Sequence, residues 1–259
     1  MDSSEAVDVL IAENIVCLAG LNLTGQQQAS VMPLKAILID MDGTITKFNL
    51  DYMWMRRAAL QMLEETGLSR PNFGDQMSIY AMLNELRGSI PDEKFDELRK
   101  RIYDRVRTIE VNAAEHAEVM PGAKEALNEL RQMKKKIVIV TNNGRLGTDR
   151  TLEKLDLLAM FDAVLTRDDV DELKPDPRML LKALNLAGVK ADEAIFVGDA
   201  IIDIRAAKAA SVRCVAVPTG PFPATQLMQE EPDFIVGSLL DVPELVRRLD
   251  HSAKAVTIA

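Results

Sequence analysis

Two carboxylates one residue apart, Asp40 and Asp42, follow directly on the apolar run Ala36-Ile37-Leu38-Ile39, and Gly43-Thr44 comes next. Acids so placed are costly to bury unless a cation or hydrogen bonds hold them. An aspartate at a strand-to-helix turn also serves as an N-cap, which accounts for one of the two but not for a pair bracketing Met41. Further along, Thr141 and Asn142 close a second apolar run at 137–140, Lys174 precedes Pro175, and Asp199 and Asp203 follow Gly198. Oxygen ligands with no histidine or cysteine among them suit magnesium, which takes one or two carboxylates and fills its shell with water and phosphate oxygens. A carboxylate beside such an ion stays charged and can act as a nucleophile. Thr141 offers a hydroxyl followed by backbone N–H groups able to hold phosphate oxygens, and Lys174 a fixed positive charge. Each of these also has a plainer reading. Residues 141–144 read as a turn, Lys174-Pro175-Asp176-Pro177 as a rigid helix entry, and Asp203 as an acid in the first turn of a helix.

These residues need elements that bring them together. The run 36–39 is a short strand of the kind buried on both faces. From Pro121 onward, apolar runs at 137–140, 163–166, 195–197 and 214–217, with a weaker one at 234–236, alternate with helical spacing. The helices fall at Ala123, Ala126, Leu127, Leu130 and Met133, then around 149–158 and 179–186. This alternation predicts a parallel sheet with right-handed crossovers, whose ligands sit at the carboxyl ends of the strands. All the strand-end polar residues then share one rim. Between Thr44 and Val119 the pattern is helical throughout. Stripes run through Tyr52, Met55, Ala59 and Met62, through Ile79, Met82, Leu83 and Leu86, and from Pro91 through Phe95, Leu98, Ile102, Val106 and Ile109. This block is expected to be a small all-helical insert. Val7, Leu10, Ile11, Ile15 and Leu18 predict a helix in an N-terminal extension, and Lys134-Lys135-Lys136 reads as a solvated helix end.

The 259 residues carry 47% hydrophobic and 27% charged residues, ordinary for a globular chain able to bury a large core. Aromatics are only 4% while Met occurs 13 times, so packing is aliphatic and thioether-rich. A net charge of −9 argues against nucleic-acid and anionic-membrane partners, and means that an anionic substrate needs a local cation. Cys17 and Cys214 form no disulfide framework, which fits a reducing cytoplasm, and no apolar window is long enough to span a bilayer.

Asp40-x-Asp42-Gly43-Thr44, Thr141, Lys174-Pro175 and Gly198-Asp199-x-x-x-Asp203, in that order, resemble the four motifs of the haloacid dehalogenase-like superfamily, over residues 34 to about 220. The resemblance implies an α/β fold: a Rossmann-like parallel sheet of order 5-4-1-2-3 with a small all-helical cap inserted after the first strand. Its expected division is an extension at 1–33, a catalytic core at 34–47 and 118–250, a helical cap at 48–117 and a tail at 251–259. It further implies that Asp40 is the nucleophile and Asp42 the general acid/base, and that Thr141 and Lys174 hold the transferred phosphoryl group. Gly43, Thr44 and Asn142 would complete the substrate site. Asp40, the Asp42 main-chain oxygen, Asp199 and Asp203 would hold or order Mg2+. Within the superfamily the chain is most similar to small-molecule phosphatases of the phosphoglycolate phosphatase-like group. It has the second acid that the dehalogenases lack, and no evident cap lysine of the phosphonate-cleaving kind. The expected activity is hydrolysis of a small phosphate ester by a monomer or homodimer, with Tyr52, Trp54, Arg56 and Arg57 as candidates for substrate selection. A sugar-phosphate mutase, which shares all four motifs, and a catalytically silent binding protein are the alternatives.

Overall fold

Four successive apolar residues can be hidden only if the strand they form has neighbours on both edges and layers on both faces. The computed structural model, which describes residues 15–17, 32–47, 52–65 and 79–257, provides both. The strands are β1 (Ile15–Cys17), β2 (Ala36–Ile39), β3 (Lys136–Val140), β4 (Ala163–Leu165), β5 (Ala194–Gly198), β6 (Arg213–Ala216) and β7 (Phe234–Val236). They form a sheet of order β1-β7-β6-β5-β2-β3-β4. All pairings are parallel except β1 with β7. The expected order 5-4-1-2-3 is the run β6-β5-β2-β3-β4, ending at the β4 edge, and two further strands extend the β6 side.

Alternate side chains of each strand enter opposite layers, as a pleat requires. Ile37, Ile39, Ile137, Ile139 and Val197 pack on α4 (Ala123–Gln132) and α9 (Val242–Thr257). Leu38, Val138, Val140 and Phe196 pack on α6 (Arg178–Ala187) and α7 (Ile201–Ala209). Two further helices, α5 (Arg145–Lys154) and α8 (Ala224–Gln229), lie after β3 and β6. Helix α5 begins at Arg145, ahead of the expected 149. The segment between β2 and β3 contains α1 (Tyr52–Glu65), α2 (Ile79–Leu86) and α3 (Asp92–Ala114). Their predicted stripes form a separate apolar cluster including Met55, Ala59, Met82, Leu86, Phe95, Leu98, Ile102 and Val106. The chain leaves for this segment and returns from it at adjacent points, where Lys47 N donates to Glu118 O at 2.9 Å and Met120 N to Ile45 O at 2.9 Å.

Three expectations are corrected. The helix predicted through Val7 to Leu18 fails at 15–17, which are extended; the rest of that stretch lies outside the described residues. Ile15-Val16-Cys17 is a short run led by two β-branched residues, and it covers the β7 edge, whose backbone groups it pairs. The division at 251 also fails: the stripe Leu245, Val246, Leu249 continues to Ala253, which is 1% exposed, so α9 runs on with the core. Lys135 is not solvated. Its side chain is 8% exposed, and its ammonium donates to Leu34 O at 2.5 Å and Asp250 Oδ2 at 2.6 Å. Among the described residues, no helix is long and apolar enough to cross a membrane.

A chain beginning at Met32 loses β1 but no strand that reaches the rim. Three edge pairs are worth roughly 1–3 kcal/mol in all. The expected result is a fall of a few degrees in melting temperature with turnover kept, checked by thermal denaturation beside a steady-state assay.

Candidate active site

The carboxyl ends of β2, β3 and β5 lie side by side because β2 is bonded to both neighbours in register, Ile39 facing Ile139 and Val197. The residues just beyond these ends therefore meet. Asp40 N donates to Val197 O at 2.9 Å, which fixes the first acid beside β5. The Lys174 ammonium lies between two acids, 2.5 Å from Asp40 Oδ1 and 2.7 Å from Asp203 Oδ1. Carboxylate oxygens of Asp40, Asp199 and Asp203, all three buried, lie within 4.8 Å of one another. Asp203 has two tasks: Oδ2 accepts the Ala200 amide at 3.0 Å, capping α7, while Oδ1 faces Lys174. Asp203 thus caps the first turn of α7 and faces the rim lysine at the same time.

Asp42 points elsewhere. Its Oδ1 accepts the Thr46 hydroxyl at 2.9 Å and its Oδ2 the Asn143 side-chain amide. Its carboxylate is outside the three-acid cluster, so any ligation by Asp42 would have to come from its main chain. The two aspartates of the first motif thus occupy different environments two residues apart.

The electrostatics follow from burial. Asp199 is pushed up to about 9, first by desolvation and then by the charges of Asp40 and Asp203. Burial likewise lifts Asp40 to about 7, against the pull of Lys174, and Asp42 to about 6, against its two hydrogen bonds. For Lys174, burial alone would lower the ammonium, but the adjoining Asp203 and Asp40 raise it above the ordinary lysine range. One lysine cannot balance Asp40, Asp199 and Asp203 at once. A hard divalent cation can, and the all-oxygen, buried donor set fits Mg2+.

Glycines make the close approach possible. Gly43 has φ of +86°, and a Cβ there would stand 2.4 Å from Asp199 Oδ2; one at Gly220 would stand 1.6 Å from the same atom. Thr44 Oγ1 donates to Asp199 Oδ1 at 3.1 Å, and Thr219 Oγ1 to Gly43 O at 2.5 Å. Gly43 and Thr44 therefore shape the Asp199 carboxylate. Asn142 is engaged within the rim as well. Its amide is taken up by the Lys174 backbone, accepting from Lys174 N at 3.1 Å and donating to Lys174 O at 3.0 Å, so it positions the lysine. Thr141 is buried at the rim, with its Oγ1 accepting the Asn143 amide at 3.2 Å.

Asn143, Thr46, Thr219, Gly220, Glu110 and Arg167 were not found from the sequence. Thr219-Gly220 sits in a Pro/Gly-rich stretch after an apolar run, a signal that was available. Glu110 gives none, since it falls on a helix with many surface acids. Trp54 lies under Arg105, 4.7 Å from guanidinium carbon to ring centroid, while Arg56 is buried and Arg57 exposed. The side chain of Tyr52 lies outside the described residues. A cavity of about 500 Å³ opens between α2, α3 and the stretch 167–173, lined by Tyr80, Arg87, Arg99, Tyr103, Arg167 and Leu173 among others.

Gly43→Ala is expected to weaken Mg2+-dependent thermal stabilisation at least tenfold in apparent affinity, because the new methyl displaces Asp199. Gly88→Ala is the control: Gly88 has φ of +81° with nothing within 4 Å of its Cβ position. It should show only the backbone penalty of about 1–2 kcal/mol, with the Mg2+ response intact.

Residues 37–217 match the family profile described as haloacid dehalogenase-like hydrolase. A phosphoglycolate phosphatase of Nitrosospira multiformis is 29% identical over 226 residues, spanning 84% of this chain and 97% of that protein. One from Pseudomonas savastanoi pv. phaseolicola is 30% identical over 217 residues, spanning 79% and 77%. Among solved structures, a protein assigned as a β-phosphoglucomutase from Bacteroides vulgatus matches with a TM-score of 0.62, 24% identity and coverage of 87% of this chain and 92% of that one, a likeness of fold alone. With its motifs, sheet and rim in agreement, the chain belongs to the haloacid dehalogenase-like hydrolases.

Proposed function

We propose that this hydrolase is a Mg2+-dependent phosphatase acting on a small phosphorylated metabolite through an aspartyl-phosphate on Asp40. The observation that supports it most is the split between the two aspartates. Asp40 stands among Lys174, Asp199 and Asp203, where a phosphoryl group would meet positive charge. Asp42 stands apart on Thr46 and Asn143, near neutrality, where a carboxyl can both give and take a proton.

In the first step a carboxylate oxygen of Asp40 attacks phosphorus, the bond to the ester oxygen breaks, and Asp42 gives its proton to the departing alkoxide. In the second, Asp42 takes a proton from water, the hydroxide attacks phosphorus, and the bond to Asp40 breaks to release phosphate. Thr141 donates its hydroxyl to a phosphoryl oxygen, and Lys174 offsets the charge of the group in flight. Mg2+, held by Asp40, Asp199, Asp203 and the Asp42 main-chain oxygen, would keep Asp40 ionised and neutralise phosphoryl charge.

Residues 48–117 serve in this reading as a cap. The space beside Asp42, bounded by Met41, Glu110, Ala113, Ala117, Asn143 and Thr151 among others, is only about 10 Å³, enough for about one water. In this reading the helical segment withdraws to admit substrate, and its return excludes bulk water. Selection of the leaving group falls to the cavity beside α2 and α3. The phosphatase reading is preferred to mutase because the two phosphoglycolate phosphatases share 29% and 30% identity with the chain, against 24% for the protein assigned as a β-phosphoglucomutase. The sparse cysteines, with Cys214 buried, fit a cytoplasmic setting.

Chelation should abolish turnover, with recovery on adding Mg2+ and inhibition by Ca2+; full activity after exhaustive chelation contradicts the metal role. Asp40→Asn is expected to form no phosphoenzyme. Asp42→Asn should lose about 10²–10⁴-fold on alkyl phosphates but far less on 4-nitrophenyl phosphate, whose leaving group needs no proton. Rapid-quench trapping with labelled substrate should show its acyl-phosphate accumulating. Equal losses on both substrates, with nothing trapped, would remove Asp42 from proton transfer.

A further inference from the structure

A second charged group lies buried next to the rim, and the reaction just described does not use it. Glu110, on α3, is 3% exposed and Arg167, just after β4, is 7% exposed. They meet side by side, Nη1 on Oε1 at 2.8 Å and Nη2 on Oε2 at 2.9 Å. Neither stops there. Arg167 Nη1 also donates to Asn142 O at 3.1 Å, and Glu110 Oε2 accepts the Gly144 amide at 3.2 Å. The turn 142–144 is thus gripped at both ends, and Asn143 between them donates its side-chain amide to Asp42.

The chain leaves room for this pair. A Cβ at Gly144 would stand 2.7 Å from Arg167 Nη2 and 3.0 Å from Glu110 Oε2, and one at Gly147 would stand 2.8 Å from Glu110 Cβ. Tyr103, also on α3, lies 4.7 Å from the guanidinium carbon by its ring centroid. A buried ion pair is a poor means of stabilisation, since the desolvation of both charges offsets most of their attraction. Its value here is directional: two charged, forked groups define the place of one short turn.

We propose that Glu110 and Arg167 are positioning residues that set the 142–144 turn so that Asn143 is presented to Asp42, making proton transfer depend on the seating of the helical segment. The proposal rests on the assignment of Asp42 as acid/base. When α3 lifts, Glu110 leaves with it, and the Asn143 contact loses its support. When α3 returns, the acid/base residue is aligned as the site closes. Substrate closure and proton transfer are coupled through these two side chains.

Removal of one partner alone leaves an unpaired buried charge, so the paired substitution E110M/R167M is the variant of choice; it replaces both charges with apolar side chains of similar reach. It is measured with Asn143→Ala, Asp42→Asn and the unaltered protein. Hydrogen–deuterium exchange over 141–148 should rise at least tenfold in E110M/R167M. Its kcat should fall ten- to a hundredfold more on an alkyl phosphate than on 4-nitrophenyl phosphate, the same bias as Asn143→Ala. Unchanged exchange, or equal kcat losses on both substrates while Asp42→Asn keeps its bias, overturns the positioning role. If Asp42→Asn also loses both equally, the acid/base assignment is the part that failed, and the link to proton transfer falls with it.

Discussion

The Lys174 ammonium between Asp40 and Asp203 is the contact on which the rest of the rim depends. It joins the end of β2 to the first turn of α7 through a residue that lies in neither, and each of these hydrogen bonds is buried. An ammonium can be hidden there because two carboxylates face it, and its charge offsets part of theirs. Much of the surrounding architecture serves this balance. Asn142 takes hold of the lysine's own N–H and C=O, Ala200 N holds the far oxygen of Asp203, and the glycines at 43 and 220 let backbone close around Asp199. The third acid exceeds what one lysine can offset. The donor set is one that a divalent cation fits.

The helical segment adds a second constraint. It has its own apolar cluster and could pack as a separate unit, yet Glu110 carries a charge from α3 into the turn that follows β3. A further tie lies on the other flank, where Arg87 donates to Glu172 Oε1 at 2.5 Å and Tyr80 to Glu172 Oε2, two residues from Lys174. Both ties end on loops that carry rim residues. The segment is attached where the chemistry is, and the broad faces of the sheet are left to α4, α6, α7 and α9.

Much of this was legible in the residues, for reasons that also mark the limits. Runs such as 36–39 and 137–140 announce buried parallel strands, and acids after such strands announce a rim, because apolar periodicity and strand-end polarity are local signals. Asp40, Asp42 and Asp199 are reachable in this way, whereas Thr141, Lys174 and Asp203 stand out only through the order of motifs in the resemblance. What fails to show locally is the use of a side chain by a distant backbone. The hold of Asn142 on the Lys174 backbone spans 32 positions, and Lys135 looks solvated until Asp250 arrives from 115 positions away. The strand at 15–17 was hidden because three residues are too few for a period, and Ile15 also fits a helical stripe. Glu110 is one acid among many on α3 until Arg167 is placed opposite it.

The central claim is that Asp40, Asp199 and Asp203, with Lys174 among them, form a site for one divalent cation. Electron paramagnetic resonance of Mn2+ reads this without reference to turnover. Titrating the purified protein with Mn2+ should show one bound ion per chain, displaced by Mg2+, and the same titration on Asp199→Ala should show that ion lost or bound at least a hundredfold more weakly. Failure to bind Mn2+, or binding that survives unchanged when Asp199 is removed, would contradict the account.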